Sequence, residues 1–146
     1  MNQGRIEIIL GCMFSGKSTE IIRRKRQLNS INKKVMVIKH SSDKRYHTDD
    51  VISHDQMSMN CFSLTNLMII HSIQNLKKIF SNSEFIIIEE AQFFPDLFEF
   101  VTQAADEYNK CVIVAGLDGD FQRNPFGNSD LLRLIPHAEE VIKLKG

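Results

Sequence analysis

The sequence predicts an α/β protein in which a parallel sheet is covered by helices on both faces. Apolar, β-rich runs alternate with helical patterns along the chain, the signature of stacked βα units. Three of those runs are nearly unbroken in Val, Ile and Leu, as strands buried on both faces must be. A glycine-containing loop between the first strand and the first helix has the spacing of a phosphate-binding turn, which places the fold among the P-loop NTPases.

The strands are expected at residues 5–10 (RIEIIL), 34–39 (KVMVIK), 84–88 (EFIII), 111–115 (CVIVA) and 140–144 (EVIKL). Helices are expected at 17–30 and at 95–108, the second opened by Pro95. A further helix is expected over 66–81, where Ile69, Ile70, Ile73, Leu76 and Ile79 follow helical spacing without a clear local cap. Residues 40–60 are polar, lack a sustained period and are too long for a plain connection, which reads as a functional or mobile loop.

At 146 residues, with 42% hydrophobic and 25% charged side chains, the chain reads as one globular domain spanning 1–146. Its 18 basic residues balance 18 acidic ones. No overall field then draws it to nucleic acid or an anionic membrane, and neither is an expected partner. No secretory signal or stretch of membrane-spanning length is evident, so the expected location is cytoplasmic. Cys12, Cys61 and Cys111 form no CxxC pair and sit at no zinc-ligand spacing, so reduced structural thiols and no zinc site are expected.

Gly11-Cys12-Met13-Phe14-Ser15-Gly16-Lys17-Ser18 fits G-x-x-x-x-G-K-[ST], with Thr19 following. Glycines let the backbone wrap around phosphates, whose charge is met by N–H groups and the positive end of the next helix. Lys17 is expected to reach the β- and γ-phosphates and Ser18 to ligate Mg²⁺, so the implied cofactor is Mg²⁺ with ATP. The strand at 84–88 ends in Glu89-Glu90. Taken alone, two such acids are more often a solvated cap; behind a P-loop they read as a metal-side acid, Glu89, and a general base, Glu90. Successive strand residues point opposite ways, so the two roles require the chain to turn here. Glu89 stands where Asp is usual, which moves the carboxylate outward by about a bond length.

Three further stretches lie around these residues: Glu90-Ala91-Gln92-Phe93-Phe94-Pro95-Asp96, Gly116-Leu117-Asp118-Gly119-Asp120-Phe121-Gln122-Arg123-Asn124-Pro125-Phe126-Gly127, and Asp43-Lys44-Arg45-Tyr46 followed by Ser53-His54-Asp55. Together with the P-loop they resemble the type II, cytosolic thymidine kinases, in order, from about residue 4 to residue 145. The resemblance implies a RecA-like core, phosphate transfer from Mg-ATP to the 5′-hydroxyl of thymidine, and a homo-oligomer, usually a tetramer. It places Glu90 as base on that hydroxyl, and Asp43 and Arg45 in a loop approaching the metal and phosphates. It sets Met13, Phe93, Leu117, Phe121 and Phe126 around the thymine ring with Gln92 nearby; the loop positions of these phenylalanines, and of Phe94, favour a pocket over the core.

In that family a zinc-binding subdomain and a segment closing over thymidine follow the strand matching 140–144, whereas this sequence ends at Gly146 without a CxxC. A piece of a longer kinase is the preferred reading. A short form completed by a partner, a non-catalytic nucleotide-binding module, and an ATPase on the same core are the alternatives.

Overall fold

Alternate residues of the central strands divide between two cores. The computed structural model describes residues 4–11, 17–41, 52–56, 59–117 and 130–144. Strands β1 (Arg5–Gly11), β2 (Val35–His40), β5 (Phe85–Glu89) and β6 (Cys111–Leu117) form the middle of one sheet. Ile8, Met36, Ile38, Ile86, Ile88, Val112 and Val114 face helices α2 (Gln74–Asn82) and α3 (Leu97–Asp106). Their neighbours Ile9, Val35, Val37, Ile87, Ile113 and Ala115 face α1 (Lys17–Ser30), which contributes Ile21 and Leu28. Both faces are therefore dry, as the unbroken apolar runs required.

Among the described residues the strand order is β3 (Ile52–Gln56), β4 (Met59–Leu64), β2, β5, β6, β1, β7 (Glu140–Leu144). All neighbours are parallel except β3 against β4, and β7 lies beside β1. The α/β sheet flanked by helices is the one expected, with strand ends shifted by a residue or two.

Two expectations need correction. Part of the presumed loop 40–60 is strand: β3 and the start of β4 form an edge hairpin whose polar sequence has no apolar run to announce it. The single helix over 66–81 is a 3-10 turn at Met68–His71 followed by α2. The missing local cap is supplied from afar, because the Asp96 carboxylate accepts the N–H groups of Leu67 and Met68 at 2.8–3.0 Å. The helix expected at 95–108 is α3, shorter at both ends; Asp130 accepts the Phe98 N–H in its first turn.

Gly4 precedes β1 against α3. A Cβ there would sit 1.7 Å from the Ala105 carbonyl oxygen, so only glycine lets the strand approach this closely.

Candidate active site

Parallel strands bring their carboxyl ends to one edge, where ligands of open α/β sheets bind. Here that edge carries Gly11 of β1, His40 of β2, Glu89 of β5 and Leu117 of β6, with Gly11 beside Leu117 and Lys39 beside Glu89 in register. Lys17 opens α1 directly above this edge. A cleft of about 310 Å³ lies there, lined among the described residues by Lys17, Lys39, Glu89, Glu90, Gln92 and Phe93, with Leu117 at its wall. A larger groove of about 730 Å³ opens at the opposite edge around Glu7, Lys110 and Cys111, but it has no phosphate loop beside it.

The acid pair does turn. Glu90 has φ 55° and ψ 41°, the left-handed region, so β5 ends at Glu89 and the chain swings into a 3-10 turn at Ala91–Phe93. This conformation costs a side-chain-bearing residue free energy and is kept only where the surroundings impose it. The two carboxylates consequently have different partners. Glu90 is half exposed and lies 3.7 Å from the Lys39 ammonium. Glu89 accepts a hydrogen bond from Lys25 of α1 at 3.0 Å, with both side chains largely covered.

The turn is tied to the neighbouring strand. Gln92 Oε1 accepts the Leu117 N–H at 3.1 Å, and a Cβ at Gly116 would fall 2.6 Å from the same oxygen, so the carboxamide lies across Gly116. The orientation of the amide is settled by the donor it meets. Phe93 is 49% exposed and faces the cleft, whereas Phe94 is 2% exposed and belongs to the core, a correction to the pocket position expected for it.

His40 packs between them, 5.4 Å from the Phe93 ring and edge-on to Phe94 at 5.0 Å. Burial lowers its pKa below the usual histidine value, while the charge of Glu90 pulls the other way. Sequence reasoning passed over His40 and Lys25, a lone histidine and a helical lysine. The available signals were the position of His40 at a strand's carboxyl end and that of Lys25 between two core positions of α1.

Helix α1, which carries Lys17, is anchored by charge. Arg24 donates to Glu7 of β1 at 2.5 Å, both nearly buried, and to Glu20 at 3.1 Å. Burial pushes the Glu7 carboxyl up, but Arg24 and Arg5 more than offset it and hold it below the ordinary range.

Ser18 and Thr19 fall in the first turn of α1. Met13, Phe14, Ser15, Gly16, Asp43, Arg45, Phe121 and Phe126 lie outside the described residues, as does the Ser18 side chain. Among the described residues no three His, Cys, Asp or Glu side chains gather as a metal site, and no helix is long and apolar enough to cross a membrane.

Comparison with known proteins gives this edge a context. The family model described as thymidine kinase matches residues 4–146. The chain is 43% identical to "Thymidine kinase a" of Arabidopsis thaliana over 97% of its own length and 58% of that protein's. It is 46% identical to the thymidine kinase of vaccinia virus (strain Ankara) and 44% to that of monkeypox virus, over 99% of its own length and 76% of theirs. The chain thus spans somewhat over half of the plant relative and about three quarters of the viral ones. Its structure is similar to that of the Pif1 helicase from Candida albicans, with a TM-score of 0.51 at 12% identity over 98% of this chain and 36% of that one, a likeness of fold alone. With the P-loop spacing, the turned acid pair and a family match across nearly all of its length, the chain belongs to the thymidine kinase family.

Proposed function

We infer that this chain is the catalytic core of an ATP-dependent thymidine kinase, in which Glu90 takes the proton from the 5′-hydroxyl of thymidine as that oxygen attacks the γ-phosphorus of ATP. The bond from the γ-phosphorus to the β,γ-bridging oxygen breaks, leaving thymidine 5′-monophosphate and ADP. The observation that carries this reading is the left-handed turn at Glu90, which separates it from Glu89 and sets it in one cleft with Lys17 and Phe93. Position comes first for a general base, and an acid at the mouth of a cleft beside an aromatic face meets that need.

Lys17 carries a fixed positive charge at the start of α1, where the helix N-terminus also favours phosphate. Phe93 offers a flat apolar surface to the base, with Leu117 on the adjoining wall. Met13, Phe121 and Phe126 complete that wall in the same reading, and Asp43 and Arg45 approach the phosphates. The residues present suit Mg²⁺, which is held by one or two carboxylates together with substrate phosphates; Glu89, at the end of β5, is such an oxygen donor, and the hydroxyl of Ser18 in the P-loop motif would be a second. When bound, Mg²⁺ offsets charge on the transferred phosphoryl group.

Assembly of several copies belongs to the same proposal, supported by the outer edge of β7, which pairs with no other described strand. Cytoplasmic location is proposed alongside it.

The test is whether thymidine stimulates ADP release and appears as its 5′-monophosphate. Turnover of ATP indifferent to thymidine would make the chain an ATPase and sink the acceptor assignment.

A further inference from the structure

Lys25 occupies a position that helical spacing assigns to the core. It follows Ile21 by four residues and precedes Leu28 by three, and both pack against the sheet face formed by Ile9, Val37 and Ile87. Its side chain is 19% exposed, and its ammonium lies 3.0 Å from Glu89 Oε2. A lysine is tolerated in such a place only when its charge is met. The partner that meets it is the carboxylate placed on the metal side of the site. The two departures from expectation fit each other: the longer Glu in place of Asp has the reach to meet an ammonium rising from α1. Lys39, another cation of this edge, lies 3.7 Å from the neighbouring acid, Glu90.

We propose that Lys25 is a positioning residue that occupies the Glu89 carboxylate and thereby sets the affinity of the site for a divalent cation. Ammonium and metal compete for one carboxylate. Binding of either loosens the other by the same factor, and couplings of this kind are typically about 5- to 150-fold. The inference rests on the phosphate-site reading of the cleft and is independent of what the acceptor is.

The experiment is a titration of the intact chain with Mn²⁺ in the presence of ATP, without thymidine, followed by the electron paramagnetic resonance signal of free Mn²⁺. Lys25→Met is expected to bind the metal about tenfold more tightly than the native chain, and Lys25→Arg, which keeps the pair, to match it. In a Glu89→Gln background Lys25→Met should change nothing, because the contested carboxylate is gone. Lys25→Gln keeps a neutral hydrogen bond to Glu89 and should give the same tightening with less loss of fold, which circular dichroism checks. Unchanged or weaker metal binding in the folded Lys25 variants would overturn the proposal. So would an equal effect in the Glu89→Gln background, since that reports the general field of a cation. A native chain that binds no Mn²⁺ with ATP at all would sink both this inference and the phosphate-site reading, whereas metal binding without thymidine phosphorylation would remove only the acceptor.

Discussion

Replacing Glu90 with glycine separates two properties that the native residue combines. At φ 55° a side-chain-bearing residue stores about 1–2 kcal/mol that glycine does not. Glycine gives back about 0.5–1 kcal/mol through the greater freedom of its unfolded chain. The pair with Lys39, at 3.7 Å and half exposed on both sides, contributes close to nothing. Glu90→Gly is therefore expected to be more stable than the native protein by about 0.5–1 kcal/mol, a rise of about 1–4 °C in Tm for a chain of this size. Phosphate transfer should meanwhile fall about 100- to 10,000-fold, the usual consequence of losing a general base. Glu90→Gln is the control: it loses activity equally but keeps the strained backbone, so its stability should stay near native. Urea denaturation at neutral pH reads the stabilities, and transfer of labelled phosphate reads the activity. A Glu90→Gly protein less stable than Glu90→Gln would refute the idea that strain at the base is held in place by the fold.

Arg24→Met leaves the nearly buried Glu7 carboxylate without its main partner and should cost about 3 kcal/mol in chemical denaturation, loosening α1 from β1. For Gln92, whose carboxamide serves as an acceptor for Leu117, Gln92→Leu should raise KM for thymidine severalfold while KM for ATP stays near native; Gln92→Glu, still an acceptor, should recover most of the loss. Acid stability should turn on a half-buried histidine. His71 packs against Phe80, Phe100 and Tyr108 with its Nε2 buried and without a hydrogen bond among the described residues, and burial lowers its pKa. The unfolded chain then takes up protons first, so this stability is present above pH 6.5 and is lost as pH falls through the lower folded value. His71→Phe should flatten the decline below pH 6.5, which calorimetry across that range reads. The decline is separable from that of Glu20, which a hydrogen bond from Arg23 holds at about 2 and which keeps its contribution until pH falls below 4.5.

What was legible in the sequence follows from how local the physics is. Runs such as Phe85–Ile88 announce themselves because burial on both faces leaves no polar position to break them. The turn at Glu90 was legible as a requirement, since two adjacent acids cannot do separate work in extended backbone, and the left-handed residue meets it. The hairpin of β3 and β4 was not, because edge strands carry polar residues without a run. Nor was the start of the 3-10 turn at Met68, whose cap, Asp96, comes from a distant segment that no local pattern reveals. Lys25 was passed over for a related reason: charge in a helix reads as solvated surface until its partner on another element is known. Much of the candidate site, including Met13, Arg45, Phe121 and Phe126, lies outside the described residues, so those positions stand on the resemblance.

The most direct measurement is transfer of γ-labelled phosphate from ATP to thymidine by the native chain, Glu90→Gln and Lys17→Ala, with ATP affinity determined in parallel. Labelled thymidine 5′-monophosphate is expected from the native chain, with a loss of about 100- to 10,000-fold in Glu90→Gln at retained ATP affinity and weakened ATP binding in Lys17→Ala. Transfer by Glu90→Gln at the native rate, or native chain that binds ATP yet never labels thymidine, would contradict the proposed function.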